Sequence, residues 1–139
     1  MSQANVEIVR EAMSLLSRIT SGGDADAEAE LLRLFAPDVR IDMTRRVFNP
    51  DLYIGHEGLR RLAREVSAVW EEFTIEPERL IDGGDRVVVI ERRRGRGAGS
   101  GVAVEQTAAV IWTLEDGRVV AAATDLDPRE ALKAVGLSE

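Results

Sequence analysis

The chain has 139 residues, 45% hydrophobic and 31% charged, with a formal net charge of −7 and no cysteine. That is one domain able to bury a core unaided, with neither a disulfide framework nor a thiolate metal site open to it. The acidic balance disfavours nucleic acid and anionic membrane as partners, and without a membrane span or a secretory signal the expected location is cytoplasmic.

Val6, Val9, Ala12, Met13, Leu16 and Ile19 recur at helical spacing, so an amphipathic helix is expected over residues 4–20. Ser21-Gly22-Gly23 ends it. Asp24 or Asp26 is placed to cap a second helix, whose stripe is Leu31, Leu32, Leu34 and Phe35 and which Pro37 stops. Val39 to Met43 alternate as a short strand. Residues 44–54 have no clean period and contain the turn signal Asn49-Pro50-Asp51, the pattern of a lid or wall.

Gly55 opens a third helix with Leu59, Leu62, Ala63, Val66, Val69, Trp70 and Phe73 on one face and charges on the other. Thr74 to Ile81 is a strand that Pro77 assigns to an edge or a bulge. Asp82-Gly83-Gly84-Asp85 turns the chain into a meander: Arg86 to Arg94, a glycine-rich reversal, Val102 to Leu114, a Glu115-Asp116-Gly117 turn, and Arg118 to Leu126. Asp127, Pro128 and Glu130 then read as cap, first helical residue and capping-box acid of a short helix ending near Gly136. No repeat, low-complexity tract or second domain interrupts residues 1–139.

Four segments carry a resemblance: Leu34-Phe35-Ala36-Pro37-Asp38-Val39, Tyr53-Ile54-Gly55-His56-Glu57-Gly58-Leu59, Gly83 to Val88, and Trp112 to Val120. In this order the chain resembles the SnoaL-like group of the nuclear transport factor 2-like superfamily, relatives of ketosteroid isomerase, polyketide cyclases and limonene-epoxide hydrolase. The resemblance implies an α+β cone. A curved antiparallel sheet would wrap a long helix, with two N-terminal helices, a short C-terminal helix and a pocket against the concave face. It also implies homodimers through the outer sheet face. The fold hosts enzymes, binders and assembly modules alike.

Candidate site residues follow from strand alternation. If the long hairpin closes between Ala98 and Gly99, Arg92 faces Glu105, Ile90 faces Thr107 and Val88 faces Ala109. Val88, Ile90, Thr107, Ala109 and Ile111 would then floor a ligand pocket, with an Arg92–Glu105 pair orienting a carbonyl or carboxylate. Val102, Val104, Ala108, Val110 and Trp112, on the other face, are the expected dimer surface.

By the resemblance, Asp42 falls where ketosteroid isomerase keeps its proton-abstracting aspartate, whereas the oxyanion positions fall near Leu16 and Ala109, neither of which can donate a hydrogen bond. The hydrolase's acid–arginine–acid relay matches at Arg92, but its acids fall on Arg94 and Thr124. Asp125, one residue on, is expected to point to the other face. His56, the lone histidine, and Tyr53, the lone tyrosine, are candidates for the pocket mouth, His56 as a proton carrier. Neither a metal nor a cofactor is expected.

The expected function is a small-molecule pocket, with cofactor-independent acid–base chemistry of isomerase, cyclase or hydrolase type on an apolar carbonyl compound. The alternative is a noncatalytic binder or a dimeric interaction module.

Overall fold

The computed structural model describes residues 3–22, 25–46 and 50–136. Gly23, Asp24 and Asn49, assigned above to a helix end, a cap and a turn, lie outside them. The elements in chain order are α1 (Gln3–Gly22), α2 (Ala25–Leu34), β1 (Phe35–Met43), β2 (Asp51–Ile54), α3 (Gly55–Val69), β3 (Trp70–Asp82), β4 (Arg86–Gly97), β5 (Ala103–Glu115), β6 (Arg118–Leu126) and α4 (Pro128–Ala134).

The strands form one sheet in the order β2-β1-β6-β5-β4-β3. Every neighbouring pair is antiparallel except β1 and β6, so the sheet is mixed rather than wholly antiparallel. The α+β architecture is the expected one, and three local boundaries differ. Phe35 and Pro37 lie in β1 instead of ending α2, because Phe35 pairs with Val119 of β6 and Pro37 costs that strand only a donor. Trp70 and Phe73 open β3 instead of finishing α3, since ladder bonds to Gly97 and Gly95 outweigh one more helical turn. Part of the expected lid is a strand, β2, on the sheet edge beside β1.

Pro77 sits in the edge strand β3, next to a register shift between Pro77 and Arg79, as a residue lacking a backbone N–H requires. Gly55 turns the chain into α3 at φ +72, where a Cβ would stand 3.0 Å from the Pro37 carbonyl oxygen. Asp127 caps α4 by accepting from the Arg129 and Glu130 amides, with Pro128 following at the first position.

The helices decide which sheet face is inner. α1 packs on β3 and β4, α3 on β1 and β2, and their stripes join one core with Val87, Val89, Val110, Trp112, Leu114, Val119 and Ala122. On the opposite face α4 covers a smaller cluster of Val88, Ile90, Ala109 and Leu126. The two faces are therefore reversed from the expectation. Ala108, Val110 and Trp112, expected to face a partner, are at most 5% exposed inside the chain. Val88, Ile90, Thr107, Ala109 and Ile111 belong to the outer face and do not line the concave side.

Candidate functional site

The β4–β5 ladder runs two residues out of the expected register. Arg92 pairs with Thr107, Ile90 with Ala109, Val88 with Ile111, and Arg94 with Glu105. The loop is longer than a two-residue turn: the Gly97 amide donates to the Val102 carbonyl, which leaves residues 98–101 as the reversal. Arg92 accordingly bonds to Glu78 at 2.9 Å and Glu105 to Arg94 at 2.6 Å, both pairs on the solvated outer face. The Arg92–Glu105 pair does not form.

Asp42 is also on the outer face. Its neighbour Ile41 points into the core, and Asp42 lies beside Ala123 and Leu52. Oδ1 accepts from the Thr44 hydroxyl at 2.6 Å and the Thr44 amide at 2.9 Å, which holds the carboxyl below its ordinary range. A general base for neutral pH needs the opposite shift.

His56 turns inward to its own framework, Nε2 lying 2.9 Å from the Phe35 carbonyl oxygen and tying the start of α3 to β1. Tyr53 is fully buried at the β2 edge. Its hydroxyl donates to Glu65 and accepts from Arg46, and the Arg61 guanidinium lies 4.3 Å from the ring centroid. Burial and the Glu65 carboxylate raise its pKa. These contacts make His56 and Tyr53 parts of the scaffold. Asp42, His56, Tyr53 and Arg92 share no common point.

A different constellation occupies the inner face. Continuing the Val87, Val89 side of β4, Glu91 and Arg93 project the same way. Arg93 donates from Nε to Glu91 at 2.6 Å and from Nη1 to Asp125 at 2.7 Å, the three side chains being 16%, 4% and 9% exposed. Asp125 reaches this face because β6 is bulged. Ala109 pairs with Leu126 and Ile111 with Ala123, so Thr124 and Asp125 together oppose Val110. Asp125 has the left-handed φ of +62, and the Thr124 hydroxyl donates to its second oxygen at 2.8 Å.

Burial pushes the Glu91 carboxyl up, partly offset by Arg93. Arg93 is itself desolvated, but Glu91 and Asp125 outweigh that and raise it. Two acids therefore share one base out of water, an arrangement that can hold a proton on Glu91 and present Arg93 as a hydrogen-bond donor. Among the described residues Arg93 Nη2 makes no hydrogen bond. Alternation alone could not find this site, since it requires the bulge; the one available signal was an acidic side chain following each apolar run, Glu91 after Val87 to Ile90 and Asp125 after Val119 to Ala123.

Around the cluster, β3 contributes Ile75 opposite Arg93 and Phe73 opposite Gly95, and β5 contributes Ala108 opposite Glu91 and Gln106 opposite Arg93. A shallow recess of about 260 Å³ between α1 and α2 is lined by Glu11, Leu15, Glu30, Arg33 and Leu34, none of which belongs to the cluster. Among the described residues no helix is long and apolar enough to cross a membrane.

The family model for the SnoaL-like domain matches residues 17–122. No curated protein matches the chain in sequence. Among solved structures, a nuclear transport factor 2-like protein of unknown function from Burkholderia pseudomallei is 24% identical, with 96% of this chain and 98% of that one covered and a TM-score of 0.73. A putative SnoaL-like polyketide cyclase from Jannaschia sp. is 21% identical over 99% and 94%, with a TM-score of 0.71. TerC, co-crystallized with polyporic acid, is 20% identical over 95% and 98%, also at 0.71. At these identities the likeness is one of fold.

Proposed function

This chain belongs to the SnoaL-like domain family, and from that premise we propose that it is a small-molecule pocket protein whose acid–base centre is Glu91, Arg93 and Asp125. One observation carries the reading: Arg93 is held between two carboxylates, at 2.6 and 2.7 Å, on the inner sheet face and largely out of water. The ligand class is an apolar compound bearing a carbonyl, whose oxygen takes a hydrogen bond from Arg93.

In the catalytic form of this reading Glu91, the carboxyl that burial raises, removes a proton α to the carbonyl, with Asp125 holding Arg93 in place. The C–H electron pair moves to form the enolate, its oxygen is stabilised by the Arg93 donor, and return of the proton from Glu91 to carbon restores a neutral product. The left-handed backbone of Asp125 is consistent with a residue held in place for a task. No cofactor enters the step.

The test uses 1-tetralone in deuterated buffer, following deuterium at the α carbon by NMR together with binding by equilibrium dialysis. Exchange above the buffer rate is expected, falling to that rate in Asp125→Asn and Glu91→Gln while binding persists. Binding without faster exchange would make the protein the noncatalytic binder of the alternative, and no binding would end the small-molecule reading for this ligand class.

Assembly belongs to the same reading. Ile111, Thr113, Ala121 and Ala123 lie half-buried on the outer face, side by side on β5 and β6. We infer that two copies pair through this surface rather than through the Val110–Trp112 face.

A further inference from the structure

Beyond the acid–arginine–acid cluster, the inner face of β4 continues to Gly95, two residues from Arg93 and about 7 Å along the strand. A Cβ on Gly95 would stand 2.7 and 2.9 Å from Cε3 and Cζ3 of Trp70. The indole therefore lies directly on the bare strand, on the same face as Arg93. Phe73, opposite Gly95, stacks on it with ring centroids 5.7 Å apart and planes at 29°.

Both rings are half-buried, unlike Phe35, Tyr53 and Trp112 in the core. Val69, Val102 and Val104, exposed at 49%, 59% and 43%, adjoin the same end of the sheet. The Val69 carbonyl accepts from Ala98, the Val102 carbonyl accepts from Gly97, and Val104 pairs with Gly95. An apolar, aromatic wall thus stands beside the cluster, where solvent still reaches it.

We propose that Trp70, seated on Gly95 and stacked with Phe73, is a specificity-determining wall that selects a flat, uncharged aromatic ring system whose polar edge hydrogen-bonds Arg93. The proposal rests on the ligand reading above and narrows its substrate class. Flatness follows from the wall: a π-face on an indole gains contact that a puckered ring of the same size loses. Lack of charge follows from the count of groups. Two carboxyls already surround one guanidinium, so a ligand carboxylate meets surplus acid, and a ligand cation would have to approach beside Arg93. A neutral acceptor meets Arg93 Nη2 without either penalty.

Three probes separate the possibilities by equilibrium dialysis: 2-acetylnaphthalene, flat and neutral; 2-naphthoate, flat and anionic; and 2-acetyldecalin, neutral and puckered. The native chain is expected to hold 2-acetylnaphthalene several-fold to about tenfold more tightly than either of the others. Trp70→Leu is expected to erase the preference for the flat ketone over the puckered one while retaining the preference for ketone over carboxylate. Gly95→Ala, which displaces the indole and leaves Trp70 present, should weaken flat-ring binding in the same direction. Near-UV circular dichroism confirms that each variant is folded. Equal binding of the flat and puckered ketones, or a ratio unmoved by Trp70→Leu, overturns the wall and leaves the pocket reading intact. Preference for 2-naphthoate overturns the charge argument, and failure of all three probes to bind overturns both the wall and the reading beneath it.

Discussion

Arg93 donates to Asp125 across β5, from a strand two places away in the sheet, only because a bulge turns Asp125 onto the guanidinium's face. The contact spans 32 residues of sequence and places Arg93 between two carboxylates. Removing the arginine leaves both acids buried with no counter-charge. Arg93→Met is therefore expected to cost about 3–5 kcal/mol in chemical denaturation. The triple replacement Glu91→Leu, Arg93→Met, Asp125→Ala should be less damaging than the single change. A single-variant loss near zero would mean the cluster is solvated.

Glu91 gives stability an inverted pH dependence. Its folded pKa is raised by burial, so between the unfolded value, about 4.5, and the folded one, the native state binds more protons than the unfolded chain. Stability from this group is present below the unfolded pKa and is lost as pH rises through the folded pKa. Glu91→Gln removes the titration, so its stability relative to the native chain should improve as pH rises above the ordinary carboxylate range. Denaturation midpoints of the two proteins over that range check this. A parallel pair of profiles would refute it. Asp42, lowered by Thr44, works the other way, its contribution being present above the unfolded pKa and lost as pH falls through the folded pKa.

Trp112 is 5% exposed, edge-on to Phe35 at 6.0 Å, and among the described residues its Nε1 has no hydrogen-bond partner. Replacing the indole by phenyl loses packing volume and relieves an unsatisfied buried donor costing about 1–3 kcal/mol. Trp112→Phe is expected to cost under about 2 kcal/mol, well below the ~3–5 kcal/mol of Trp112→Ala. Equal losses in the two variants would show that the N–H has an acceptor.

The hairpin register makes its own prediction. Arg94 and Glu105 are partners, but their side chains are 53% and 58% exposed. A double-mutant cycle on that pair should give weak coupling that salt abolishes. The cycle on Arg92 and Glu105 should be additive within error. Strong coupling there would indicate the shifted register.

Sedimentation tests the outer-face dimer. The native chain should sediment as a dimer at micromolar concentration, and Ala123→Glu, which places charge beside Ile111 on that face, should give a folded monomer. A native monomer rules the assembly out.

Much of this protein was readable from its residues. Helical spacing located α1 and α3, Pro77 announced an edge or a bulge, of which β3 has both, and Asp127-Pro128 announced the cap of α4. Period-2 alternation correctly grouped Val88, Ile90, Thr107, Ala109 and Ile111 on one side of the sheet, and a register error of two residues left that grouping unchanged. What alternation cannot supply is which side the helices cover. Val87, Val88, Val89 and Ile90 are all apolar and all at most 8% exposed, so no polar face marks the outside, and only the packing of α1 and α3 against one side and α4 against the other decides it. The candidate site lay beyond sequence for a related reason. A bulge breaks the alternation that places side chains, and Asp125 crosses to Arg93 through one left-handed residue whose conformation is set by the pairing of β5 with β6.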